Sequence, residues 1–226
     1  MISGQMLDEL LSVLSAAEDD PAIRVLVLSG TGSDFCVGGD RGEFPSLLAG
    51  DPSGTAIRSV AVRARRVCDA LASTEMVTIA RLHGSVIGAG LALAIFCDLR
   101  LGADDCRFWL PEVGLGIPPA WGGALPRLLS EVGAARMREL TLVADSFDAA
   151  TAHKLFILHR VVAASGLDEA VSRWTESLAR RPPAALRTAK LMLNSYAAAS
   201  RLADGALFDP DLLASTMTIH ELIRRG

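Results

Sequence analysis

The chain has 226 residues, half of them hydrophobic and 21% charged, with a formal net charge of −4. A composition of that kind can bury a sizeable core, which excludes a disordered chain. No run of Lys and Arg is long enough to track a phosphate backbone, so nucleic acid is not an expected partner. The longest apolar run, Val86 to Cys97, ends at Asp98 and is too short to span a bilayer. Asp8, Glu9, Glu18, Asp19 and Asp20 do not fit a presequence, and a cytoplasmic protein with no membrane partner is expected. Cys36, Cys68, Cys97 and Cys106 lack C-x-x-C spacing and neighbouring histidines. They read as reduced core thiols, and no metal site is expected.

In chain order, apolar residues at spacings of three and four predict a first helix over Met6–Leu14. "IRVLVLSG" (Ile23–Gly30) is a β-branched run ending in glycine and predicts a buried strand. Gly30–Gly42 reads as loop. Thr55–Ser73 predicts a helix with an apolar face at Ile57, Val60, Val67 and Leu71 and an arginine face opposite. Met76–Leu82 predicts a second strand, followed by a glycine-rich turn over Gly84–Gly90 and an apolar helix over Gly90–Cys97. "LRLGA" and "RFWL" are short strand candidates. Beyond Gly122 helices are predicted over Ala134–Val143, Leu167–Arg180, Pro183–Tyr196 and around Leu212–Ile223. Strands alternating with helices, then a helical tail, predict an α/β fold with a mostly parallel sheet.

Two glycine-rich turns each follow a strand. In "GTGSDFCVGGD" (Gly30–Asp40) a dinucleotide fingerprint would need its third glycine at Phe35, where no helix opens. The second turn holds Ser85 without the G-x-S-x-G elbow, and no convincing His–Asp pair supports a serine hydrolase. Both turns can bring backbone N–H groups close to a ligand, at Gly39 in the first and Ala89 in the second. Ala89 opens a helix, where the dipole favours negative charge. Two converging N–H groups would make an oxyanion hole. From these residues alone, two ordinary tight turns are the favoured reading.

"FCVGGD" (Phe35–Asp40), "HGSVIGAGLALAIFCD" (His83–Asp98) and "FWLPEVGLGIPPAWGG" (Phe108–Gly123) resemble, in order and separation, the three signature blocks of the crotonase family, the enoyl-CoA hydratase/isomerase superfamily. The likeness runs from about Met6 to at least Lys190. It implies a spiral of ββα units over 1–165 carrying an acyl-CoA site. It also implies a helical C-terminal region over 166–226 that builds a homotrimer or a dimer of trimers. Set against the family, the sequence has no counterpart of the opening β-hairpin, which implies either a misassigned or truncated start or a short variant with an altered sheet edge.

Carried over residue by residue, the resemblance puts the oxyanion donors on the N–H groups of Gly39 and Ala89. It puts the wall of the acyl-CoA site on Gly39, Asp40, Arg41 and Gly42, and Trp121 is a further candidate for narrowing the acyl pocket. No separate cofactor is implied, because coenzyme A belongs to the substrate. The two acids of the hydratase subgroup fall on Ala92, which cannot titrate, and Glu112. Apolar neighbours should raise the Glu112 pKa and suit it to proton exchange near neutral pH. His83 is expected to stabilise its turn, and His153, His159 and His220 to lie on the surface. Asp40 is expected to cap the short helix after the first turn. Phe156 stands where the family pattern has glycine, which implies local repacking.

The resulting expectation is an enoyl-CoA hydratase/isomerase type enzyme with Glu112 as its single acid/base, favouring double-bond isomerisation over hydration. The alternatives are a non-catalytic acyl-CoA binder or helper subunit, and an acyl-CoA decarboxylase.

Overall fold

The computed structural model describes residues 1–51, 53–199 and 208–225. Helix α1 (Gly4–Glu18) starts where Ser3 caps it, its hydroxyl accepting from the Met6 N–H at 3.1 Å, and it buries Leu7 and Leu14. Strand β1 (Val25–Ser29) follows, then a loop, α2 (Phe44–Gly50) and α3 (Thr55–Ser73). Along α3 the buried Ile57, Ala61, Ala64, Cys68 and Leu71 recur at alternating steps of four and three, with the buried Val67 beside Cys68, so one stripe faces the core.

Beyond α3 the chain winds, adding strands to two sheets. Strands β2 (Val77–Leu82) and β3 (Ser85–Ile87) lead into α4 (Ala89–Phe96), and β4 (Leu99–Ala103) and β5 (Arg107–Trp109) lead into α5 (Ala124–Val132) and α6 (Ala134–Leu142). Strand β6 (Phe147–Asp148), α7 (Ala149–Lys154) and β7 (Arg160–Val162) complete the winding, followed by α8 (Leu167–Ala179), α9 (Pro183–Ala199) and α10 (Asp209–Arg225). The first sheet is parallel in the order β1-β2-β4-β7, and the second has the order β3-β5-β6, with β3 parallel to β5. Segment 85–87, expected as part of a turn, is thus a strand. Its three residues are too few to show a period, and its pairing with Arg107–Trp109 decides the matter.

The main core cluster joins β2, β4 and α4, and every residue of α4 is buried. Leu167, Ala170 and Val171 of α8 lie in the same cluster, so the core continues across the 165/166 division expected from sequence. A second cluster packs Leu213, Ala214 and Met217 of α10 on Leu48, Ile57 and Ala61. Two buried cations knit the periphery. Lys190 of α9 donates to Asp98 at 2.8 Å and to the Met76 carbonyl at 2.7 Å. Arg100, 2% exposed, pairs with Glu131 and donates to the carbonyls of Cys97, Phe156 and Ile157. Paired this way, neither charge is left uncompensated. Among the described residues, no helix is long and apolar enough to cross a membrane.

Candidate active site

Three parallel segments deliver the site. Cys36 bridges to Val86, and Val86 pairs with Phe108. Because parallel strands advance together at about 3.3 Å per residue, residues a few positions past this register leave the sheet side by side. Three residues on from Cys36 is Gly39, three on from Val86 is Ala89, and four on from Phe108 is Glu112. All three line one cleft of about 200 Å³, walled mainly by apolar side chains that include Val37, Phe44, Ile117 and Leu213. Trp121 and Arg41 line it as well.

Among the described residues, the N–H groups of Gly39 and Ala89 are left without a partner for local reasons. Ile2 bonds to the Gly38 carbonyl (2.9 Å) and accepts from the Asp40 N–H (2.8 Å). In an extended segment successive N–H groups alternate in direction, so the N–H of Gly39 between them faces away from Ile2. Ala89 is the first residue of α4, and the first N–H groups of a helix have no partner within it. Gly90 lets the helix come this close, because a Cβ there would lie 2.7 Å from the Cys36 Cβ.

Glu112 is 9% exposed, and its Oε2 has no hydrogen-bond partner among the described residues. Burial pushes its pKa up. Its own carbonyl accepts from the N–H groups of Leu115 and Ile117 at 3.0 Å each, which fixes the backbone beneath the carboxyl group. Gly88 makes room for that carboxyl group: its φ is +49°, and a Cβ there would meet Glu112 Oε1 at 2.9 Å.

Sequence reasoning placed other residues less well. Asp40 and Gly42 do not line the cleft. The Asp40 carboxylate accepts from the Gly42 N–H at 2.9 Å, closing a turn, and α2 begins instead after Glu43, which makes no side-chain cap. Ala92 does not line the cleft either but faces a smaller chamber behind Glu112. His83 does hold its turn: Arg81 donates to Nδ1 at 3.0 Å, which leaves the proton on Nε2 for the Gly32 carbonyl at 2.9 Å. His153 is exposed. His159 is exposed as a residue, yet its Nδ1 accepts from the Arg100 N–H at 3.0 Å. The His220 side chain lies outside the described residues.

Three contributors went unread. Asp34 clamps the first turn to β3, accepting from the Ser85 N–H at 2.8 Å and the Ser33 hydroxyl at 2.7 Å. The Ser85 side chain first, then Ser33 and the Ser85 N–H, hold its carboxyl down to about 2. Its Asx-like position ahead of "FCVGG" was the available signal. Phe44 and Leu213 reach the cleft from α2 and α10 through long-range packing that carries no local signal.

Paired sheets wound with a helix after each turn, and a cleft at the C-terminal ends of parallel strands, define the class: this is a crotonase fold. An enoyl-CoA hydratase/isomerase family model matches residues 1–225. The chain is 31% identical over 189 residues to the crotonyl-CoA hydratase of Syntrophomonas wolfei, covering 82% of this chain and 70% of that one. It is 32% identical over 193 residues to the peroxisomal Delta(3,5)-Delta(2,4)-dienoyl-CoA isomerase of Arabidopsis thaliana, covering 82% and 69%. Among solved structures, the enoyl-CoA hydratase from Bacillus anthracis superposes with a TM-score of 0.80 at 28% identity, covering 97% of this chain and 82% of that one. The chain belongs to the enoyl-CoA hydratase/isomerase family and is an enzyme of its lyase or isomerase type.

Proposed function

We propose that the cleft takes an enoyl thioester of coenzyme A and moves its double bond between the 2 and 3 positions, with Glu112 carrying the proton. The observation that supports this reading most is the make-up of the cleft. Two free N–H groups, of Gly39 and Ala89, and one buried carboxyl group line it, and among the described residues no second acidic side chain does. With a 3-enoyl thioester, the Glu112 carboxylate takes a proton from C2. The electron pair delocalises onto the adjacent thioester oxygen, where the two N–H groups hold the dienolate, and through the C3–C4 double bond onto C4. Such donors typically contribute several kcal/mol to the transition state. Glu112 then returns the proton at C4, giving the conjugated 2-enoyl thioester with no net change in atoms. Burial raises the Glu112 pKa, so the group gives and takes a proton more evenly near neutral pH than an exposed carboxylate does.

Hydration requires a water to be positioned as well as a proton to be delivered, a task that the family divides between two carboxylates. Alanine at 92 removes one of them. Relatives named as a hydratase and as an isomerase stand at nearly equal identity to this chain, so overall similarity does not separate the two chemistries, and the single carboxyl group in the cleft supports the isomerase reading. Arg41 at the cleft wall gives a positive charge for the phosphates of coenzyme A. The exposed apolar residues of α9 support assembly into a trimer.

Glu112→Gln tests the assignment. The amide keeps size and polarity but cannot exchange the proton, so turnover should fall by at least about a hundredfold while acyl-CoA binding stays nearly unchanged. Full activity in this variant would remove Glu112 from the mechanism and favour the decarboxylase or helper-subunit readings.

A further inference from the structure

Behind Glu112, on the side away from the main cleft, lies a chamber of about 20 Å³. Gly88, Glu112 and Trp121 are common to both spaces, and Ala92, Met137 and Thr141 help to close the smaller one. Its lining is mainly apolar, and the two oxygen-bearing side chains in it are those of Thr141 and Glu112. Both residues are more than nine-tenths buried, at 8% and 9% exposure. Thr141 Oγ1 and Glu112 Oε2 are both without a hydrogen-bond partner among the described residues.

Thr141 is a helical threonine whose hydroxyl is both buried and unpaired among the described residues. A threonine inside a helix ordinarily turns its hydroxyl back to the carbonyl four residues earlier. Thr175, Thr216 and Thr218 do so at 3.0, 2.8 and 2.8 Å. Thr141 lies in α6 and makes no such bond. Its hydroxyl is buried at a real cost unless something in the chamber meets it. The space is large enough for one water molecule and too small for a side chain or a substrate segment, and a bound water needs at least two polar partners. The two oxygens supply them.

We propose that the chamber binds a single water, bridged between Thr141 Oγ1 and Glu112 Oε2, and that Thr141 is thereby a positioning residue for the Glu112 carboxylate. The water accepts from the threonine hydroxyl and donates to Oε2, which leaves Oε1 for the reacting proton. The room for it exists because residue 92 is alanine. Its consequence for turnover rests on the reading of Glu112 as proton carrier, whereas the water site itself does not. A donor to the ionised carboxylate favours the charged form and so opposes burial, which pushes the group up. Of the elements packed around the carboxyl group, α4 presents Ala92, α5 Leu125 and Leu128, and α6 Met137 and Thr141, none of which titrates. Arg41, on the wall of the main cleft, is the one charged side chain besides Glu112 lining either space among the described residues.

The test is a carboxyl-¹³C NMR titration of the full chain labelled at glutamate, with the Glu112 signal assigned by its loss in Glu112→Gln. Thr141→Val keeps the shape and removes the hydroxyl. It should raise the Glu112 midpoint by about one pH unit, a tenfold change in proton affinity, and Thr141→Ser should restore it. Should the valine variant fail to fold, Ala92→Val fills the chamber from α4 and should produce the same rise. Coincident midpoints in wild type and the folded variant would overturn the proposal. So would an unchanged midpoint with an altered preference for acyl chain length, which would assign the chamber to the substrate tail. In kinetics, the acid limb of the kcat profile should move up with the midpoint while KM holds. A midpoint that moves without the limb would uphold the water site and contradict Glu112 as proton carrier.

Discussion

Phe156 shows what a single residue costs when the backbone asks for another. Its φ is +59°, in the left-handed region, and its ring is 74% exposed, so packing does not offset the strain. Its carbonyl accepts from Arg100 Nη2 at 3.2 Å, and that buried cation holds the segment in place. The sequence pattern pointed to glycine here and to local repacking around the larger residue. The outcome is different: the chain keeps the glycine-like backbone and turns the ring to solvent. Phe156→Gly should therefore stabilise the protein by about 1 kcal/mol, read as a higher midpoint in urea unfolding. An unchanged or lower midpoint would mean that the ring has a partner in the assembled protein.

At the scale of elements, the site depends on register, and register is where the sequence was least legible. Helix α3 was readable residue for residue, because nineteen positions repeat one amphipathic pattern. Strand β3 has three residues and its neighbours are glycines, so nothing local marks it. Yet the Cys36–Val86–Phe108 alignment brings Gly39, Ala89 and Glu112 to one cleft. The identities of the three were legible through the resemblance. The clamp that keeps the first turn in line, Asp34, was not, because its partner Ser85 lies 51 residues on. Asp34→Ala should lower stability at pH 7 by about 1 kcal/mol, a modest amount for a partly exposed group, and should slow turnover as Gly39 loses its alignment. The pH dependence has a definite sign. The folded carboxyl group is held down to about 2, below its ordinary value near 4, so its contribution is complete above about pH 4 and fades as pH falls towards 2. The stability gap between wild type and variant should close over that window. A gap independent of pH would show that the carboxylate charge is not what clamps the turn.

Across the whole molecule, charge and hydrophobicity were enough to give a mixed α/β fold, while the sharing of one core between the winding strands and α8 was not foreseen. The division expected after residue 165 follows the change from strands to helices. Helix α9 leaves Leu191, Leu193 and Tyr196 more than half exposed. Apolar side chains grouped in this way mark an interaction surface, so the protein should elute as a trimer or hexamer. A monodisperse monomer at micromolar concentration would contradict that assignment.

The central claim is that one carboxyl group between two N–H donors shifts a double bond and does not add water. Incubation of the wild-type protein with 3-enoyl-CoA and, separately, 2-enoyl-CoA, followed by mass and absorbance, tests it most directly. Interconversion at constant mass is expected, seen as gain or loss of the conjugated thioester absorbance. Faster formation of a product heavier by one water from 2-enoyl-CoA would contradict it.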